Sequence, residues 1–380
     1  MTKHVVVLAF VVFAAACGDN QPGSAPDSGT DPVGNPAAPP RAVVVSGTFT
    51  PGEVGVMSSL ELDTLQMTER VAPNGAVAED PILRQLDGEL FVVNRGSGNN
   101  VTILDSRTFA VKQQLATGPG SNPQDVAVVR DKLYVPAFGT AGVVVLTRGS
   151  PAIATIDLSS LDPDGQPNCV TAFRVVNDVY VACELLDENF SARGPGKIVV
   201  IDTLTDTVRA TVTMANRNPF GVFERMPNEA GGDLVIPTVP NFFDVTEGCV
   251  ERITPGSTPV ASGCVVTNQA LGGFVSRIDF QLLGTLPVQW MVVNNGQFGP
   301  GLRANLQGYD LDAGALRPAP ISPDSQLLID AVVCPNGKIV VADQTMAANG
   351  LRVYDGGSEA TSAPLMFGLK PNSARGLVCY

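Results

Sequence analysis

Histidine is all but missing from this 380-residue chain; the single copy is His4, inside an N-terminal leader segment. Once that leader is removed, no imidazole remains. General acid–base catalysis by His, nucleophile activation by a Ser-His-Asp or Cys-His pair, and imidazole ligation of a metal are then excluded. Charged residues make up only 16% of the chain, few for a helix-rich enzyme and natural for many short strands. There is no Cys-x-x-Cys pair, Gly-x-Ser-x-Gly elbow, phosphate-binding loop or Gly-x-Gly-x-x-Gly turn. Basic residues are also in deficit, at 24 Lys and Arg against 37 Asp and Glu, for a net charge of −13. Losing Lys3 with the leader takes this to −14. Nucleic acid, which demands clustered cations, is thereby set aside as a partner.

The apolar run of the leader, Val5 to Ala16, is twelve residues. That falls short of the roughly 20 needed by a membrane-spanning helix. With Lys3 before it, the run has the form of an export signal. It ends Ala14-Ala15-Ala16-Cys17, which resembles the lipobox of bacterial lipoproteins, although Ala14 stands where Leu is usual. The resemblance implies cleavage before Cys17 and lipid attachment to it, and two or three acyl chains anchor stably where one does not. The alternative is an ordinary signal peptide cut near Ala16. Residues 18–41 follow, rich in Pro and Gly and without an apolar period, and read as a tether holding the folded body off a membrane. The expected address is a bacterial envelope membrane, the outer one preferred, with the periplasmic or surface face left open.

From residue 42 to 380 a single strand type recurs seven times. It appears as AVVVS (Ala42 to Ser46), LFVVN (Leu90 to Asn94), LYVPA (Leu133 to Ala137) and VYVAC (Val179 to Cys183). It returns as LVIPT (Leu234 to Thr238), WMVVN (Trp290 to Asn294) and IVVAD (Ile339 to Asp343). Spacings of roughly 43 to 56 residues suit one four-stranded blade per copy. An apolar strand precedes each copy after the first, as in Asp125 to Arg130, and another follows, as in Asn100 to Ser106. A more polar fourth strand, as in Val208 to Val212, closes the unit. We label these strands a to d from the axis outward. The first copy of strand b lacks a strand a before it, and SARGLVCY (Ser373 to Tyr380) reads as a strand a with nothing after it. The expected fold is an all-β, seven-bladed β-propeller whose C-terminal strand completes the first blade and removes the open edges.

The phrase KIVVIDTLTDTVRATV (Lys197 to Val212), with NPQDVAVV, LYV and GVVVL upstream, resembles the YVTN (YncE-like) family of β-propeller repeats. The likeness is clear over residues 78–218, fades over 219–322 and recovers in the last blade. It implies envelope and surface-layer proteins, and specifies fold far better than function.

Six cysteines remain after Cys17, an even number in an exported chain, and fifteen pairings are possible. Blade register favours Cys169–Cys183 at one end of a hairpin, Cys249–Cys264 across the ITPGSTP turn, and Cys334–Cys379 between the last and first blades.

In a propeller the b–c and d–a loops share one face, where ligands usually bind. Residues at or just after the end of strand b are Asn94, Arg95, Glu184, Asn294, Asn295, Asp343 and Gln344. This ring could coordinate Ca²⁺ through oxygens or hold a peptide or sugar. The competing reading makes its members strand-end turn formers. Phe242 and Phe243, in the blade-five loop Pro237 to Gly248, are expected either to meet a protein partner or to tuck over the adjacent blade. Asp162 and Asp164 in LDPDGQPN only faintly echo a Ca²⁺ loop and read as a turn, as do Asp310 and Asp312. Trp290, the only tryptophan, lies within a strand and reads as core.

The functional expectation is a lipid-anchored, non-enzymatic binding or protein-interaction scaffold, without a resident cofactor and with an envelope protein as partner. The alternative is a Ca²⁺-dependent lactonase-like hydrolase, with Glu184, Asn294 and Asp343 as nearest candidates. A third reading, docking to a redox enzyme, finds no haem, copper or quinone ligands.

Overall fold

The computed structural model describes residues 40–228, 232–242, 244, 246–295, 302–323, 326–346, 348–371 and 374–380. The leader, Cys17, most of the tether and Phe243 lie outside them. The described chain folds into seven four-stranded antiparallel sheets. In six of them the strands pair in chain order, and in the remaining one the C-terminal strand pairs with the first.

The seven apolar runs are the second strands of the seven sheets: Arg41–Ser46, Glu89–Asn94, Lys132–Pro136, Asp178–Cys183, Leu234–Pro237, Leu286–Asn295 and Ile339–Asp343. They are buried on both faces, and alternation explains why. In blade one, Val43 and Val45 pack against blade two, while Ala42 and Val44 pack against blade seven. A strand buried between two blades cannot show the half-polar alternation of a solvated sheet. Seven apolar clusters result, one at every blade interface, and the interface between blades seven and one closes the ring. The outer strands behave oppositely. Strand d of blade two, Val111–Ala116, buries only Leu115.

Closure is direct. Leu377–Cys379 pairs with strand b of blade one, placing Ala42 opposite Cys379 and Val44 opposite Leu377. Backbone bonds from Arg41 N to Tyr380 O at 2.9 Å and from Tyr380 N to Arg41 O at 3.0 Å continue the ladder.

All three expected disulfides are present: Cys169–Cys183, Cys249–Cys264 and Cys334–Cys379. The first joins directly opposed residues of one hairpin. The third links the innermost strands of blades seven and one, 45 residues apart in sequence.

Blades five and six depart from the common length. Strand a of blade five is only Glu224–Arg225, whereas the a–b hairpin of blade six runs over Phe274–Leu283 and Leu286–Asn295. The strand d expected at Val208 to Val212 extends over Thr207–Arg217 and carries blade four's outer edge to the b–c face.

Candidate functional site

The residues expected to form one ring on the b–c face separate into two groups. Asn94 is fully buried, and its amide ties its own blade to the loop before it. Its Oδ1 accepts from Ala78 N at 2.8 Å, and its Nδ2 donates to Asn100 Oδ1 at 2.8 Å and to Ala76 O at 3.2 Å. Asn294 donates to Ser276 Oγ at 2.8 Å. Asp343 accepts from Arg352 Nε at 2.8 Å, and its other oxygen caps Thr345. Asn295 ends its strand opposite Arg303, and Gln344 donates its backbone N–H to Leu327 O. These side chains and backbone groups serve the local structure of their own blades.

Arg95 and Glu184 stand apart: each directly follows strand b of its blade, and both lie within electrostatic reach of Arg375. Arg95 donates to Asp80 Oδ1 at 2.5 Å and reaches Gln124 Oε1 of the next blade. Glu184 is 6% exposed, and among the described residues no hydrogen-bond donor reaches its carboxyl. Burial pushes its pKa up to about 8, with the charge of Arg375 only partly opposing the rise.

Each blade contributes one residue, on or just before its strand a, to a polar belt: Arg375, Arg84, Asp125, Thr171, Glu224, Arg277 and Asp330, from blade one to blade seven. Arg84 Nε and Nη2 donate to the two oxygens of Asp125, both at 2.7 Å. Asp125 Oδ2 also accepts from Thr171 Oγ1 at 2.6 Å and from Ala172 N at 3.0 Å. Arg277 Nη1 donates to Glu224 Oε1 at 2.6 Å and pairs through Nε with Asp330 Oδ1 at 3.2 Å. Asp330 Oδ2 accepts from Leu377 N of the closing strand at 2.9 Å. Arg375 spans the axis, donating to Gln124 O and Val170 O.

The environment of each belt member decides its ionisation. Although burial raises the carboxyl pKa of Asp125, the bidentate Arg84 outweighs that and holds it low. Burial pushes Asp330 up to about 7 against the pull of Arg277, and it lowers Arg375 to about 10. Asp279, behind Arg277, is likewise pushed up by burial and by neighbouring Glu224.

The aspartates of the 161–168 loop are bridged by Arg193, which meets Asp162 at 3.1 Å and Asp164 at 2.8 Å. Asp310 accepts from the N–H groups of Asp312 and Ala313 and builds a turn. Among the described residues no three Asp, Glu, Cys or His side chains cluster as a metal site would require. Trp290 packs in the core between blades six and seven, with Arg317 over its ring.

A groove of about 1110 Å³ lies on the b–c face, between the b–c loops of blades four and five. One wall carries Asn189, Phe190 and Ser191, the other Asn241, Phe242 and Glu247, and the floor Arg217, Asn218 and Phe220. Phe242 tucks inward, edge-on to Phe220 at 5.3 Å and Phe274 at 5.8 Å between ring centroids. It braces the blade-five wall. Phe190 does the opposite: it is 71% exposed, at a positive φ of 58°. Neither Phe190 nor Arg217 is singled out by sequence pattern. A bulky aromatic in the polar loop ENFSARG was the available signal.

The chain matches no family model and no curated protein. Among solved structures it is similar in fold to AztD from Citrobacter koseri, at 14% identity and a TM-score of 0.52, covering 90% of this chain and 98% of that one. It is also similar to a candidate 6-phosphogluconolactonase from Bacteroides uniformis, at 12% identity and a TM-score of 0.55, covering 90% and 100%. At these identities the likeness shows the propeller fold and no more.

Proposed function

We propose that the chain is a non-enzymatic binding propeller of the YVTN type, held at a bacterial envelope membrane through acylated Cys17 and its tether. The observation that carries this reading is the groove between blades four and five. Its volume lies at the upper end for small-molecule clefts, and it combines aromatic walls with a few polar groups on a rigid scaffold. The belt carboxylates Asp125, Glu224 and Asp330, by contrast, are held by Arg84 and Arg277. A groove on the b–c face, opposite the a–b and c–d turns, leaves a membrane-tethered body free to present it outward.

The test is native isolation of the acylated chain in mild detergent, compared with a Phe190→Ser, Arg217→Ala variant. The reading expects a stoichiometric companion that the variant loses while its melting temperature is unchanged. A companion retained by the variant would place binding elsewhere.

One observation favours a second reading, a lactonase-like hydrolase. Burial beside the Arg375 guanidinium raises the Glu184 carboxyl to about 8, which suits it to holding and delivering a proton near neutral pH. Hydrolysis of a lactone panel that is lost in Glu184→Gln would establish it; equal rates with both proteins would discard it.

A further inference from the structure

The repeat supplies an internal control for what the groove takes. Asn122 and Asn218 occupy equivalent places at the entries to blades three and five. Both precede a proline bridged to the end of strand b, Pro123 to Ala137 and Pro219 to Thr238. Both have positive φ, 46° and 48°. Both accept a backbone bond after strand b, from Phe138 N at 3.1 Å and Val239 N at 3.0 Å. Their side chains differ. Asn122 Oδ1 accepts the backbone N–H of Gly96, from the b–c loop of the preceding blade, at 3.0 Å. Asn218 Nδ2 donates to Val239 O at 2.8 Å, which fixes the amide orientation, and among the described residues its Oδ1 has no partner although the residue is 4% exposed. Where blade two sends a loop amide to Asn122, blades four and five leave the groove.

Two further groups in the groove are unspent. The Arg217 guanidinium and the Glu247 carboxylate have no ion-pair or hydrogen-bond partner among the described residues, and both are exposed. Phe190 adds an exposed apolar platform above them.

We infer that this groove binds an extended peptide segment, which gives a backbone N–H to Asn218 Oδ1, an acidic side chain to Arg217 and an apolar side chain to Phe190. This rests on the binding reading above and names its ligand class. A peptide is favoured over a saccharide because the equivalent oxygen in blade three takes a peptide N–H, and because opposite unpaired charges on one groove suit a segment carrying both signs. Burying the Oδ1 of Asn218 without a donor is unfavourable, so the segment that supplies one is selected for its backbone as well as its side chains.

The experiment is selection of a displayed random-peptide library on the full acylated chain in mild detergent, run in parallel on Arg217→Glu. Enriched peptides are then synthesised and titrated by fluorescence anisotropy. The expected result is enrichment of sequences with an acidic residue near an apolar one. Their affinity should fall roughly tenfold in Arg217→Glu, and Arg217→Glu should itself select basic residues at that place. Phe190→Ser should weaken binding too, with melting curves showing both variants folded. Equal enrichment of the same sequences on both proteins overturns the inference, as does no enrichment. A saccharide panel that binds in place of peptides overturns the peptide assignment alone. Failure of both panels, together with a companion unaffected by the groove variant, removes the binding reading as well.

Discussion

Arg84, on the innermost strand of blade two, and Asp125, just before that of blade three and 41 residues away, form a buried two-point ion pair with both N–O separations at 2.7 Å. The same carboxylate holds Thr171 and Ala172 of the next blade, so one aspartate ties three blades together at the axis. Asp125→Ala therefore removes a buried counter-charge and two cross-blade bonds at once. The expected loss is about 3–5 kcal/mol in urea unfolding, typical of breaking a buried pair from one side. An Arg84→Met, Asp125→Leu double variant should recover the part due to the stranded Arg84 charge, while the loss of the Thr171 and Ala172 bonds remains. If the double variant is no better than the single one, the belt is not acting as a charge pair.

Glu184 makes stability depend on pH in a stated direction. Its folded pKa of about 8 lies above the ordinary glutamate value of 4.5, so the folded state binds the extra proton between those values. Stability then falls as pH rises through that window, because the unfolded state ionises first. Asp330, pushed up to about 7 from 3.8, adds to the fall over a lower window. Thermal melts at several pH values from about 5 to 8 should show a declining melting temperature, and Glu184→Gln should flatten the decline. A melting temperature that rises across this window in both proteins would contradict the assignment.

The Cys334–Cys379 bond joins blade seven to the closing strand over 45 residues. Loop-closure entropy puts its contribution near 4 kcal/mol, against about 3 for the shorter loops of the other two bridges. Replacing both cysteines by Ser should lower the melting temperature more than replacing Cys169 and Cys183. Matching losses would show that the closing strand is held by its ladder rather than by the bond.

Val176 occupies the a–b turn of blade four with φ at 56°, in the left-handed region, and its side chain is 66% exposed. A β-branched residue there is strained with no burial in return. Val176→Asn is expected to raise stability by about 0.5–1 kcal/mol, measured by the shift in unfolding midpoint. A lower midpoint would mean that the turn relaxes in solution.

The sequence made the blades legible and hid the sites, for one physical reason. A doubly buried strand such as Leu90–Asn94 advertises itself by a continuous apolar run, and the register it sets brings Cys169 opposite Cys183 and Cys334 near Cys379. The orphan strand at residues 373–380 announced closure because an open propeller edge has no other stable partner. The belt carries no such local signal. Arg84, Asp125, Glu224, Arg277, Asp330 and Arg375 are scattered over the chain and meet only where seven strands converge. The strand-end residues Asn94, Asn294 and Asp343 were visible, yet short polar side chains at strand ends also bond to neighbouring strands, loops and turns, and here they do so. The groove depends on how far two loops stand apart, which the sequence of neither loop states.

Occupancy of the blade-four to blade-five groove in intact cells tests the proposed binding function most directly. A photo-reactive residue placed at Ser191, on the groove wall, should yield a discrete crosslinked product in intact cells, and that product should vanish in Arg217→Glu. The same residue at Asp131, exposed on the opposite face, should yield none. Crosslinks of equal yield at both positions, or a Ser191 product indifferent to Arg217, would contradict the account.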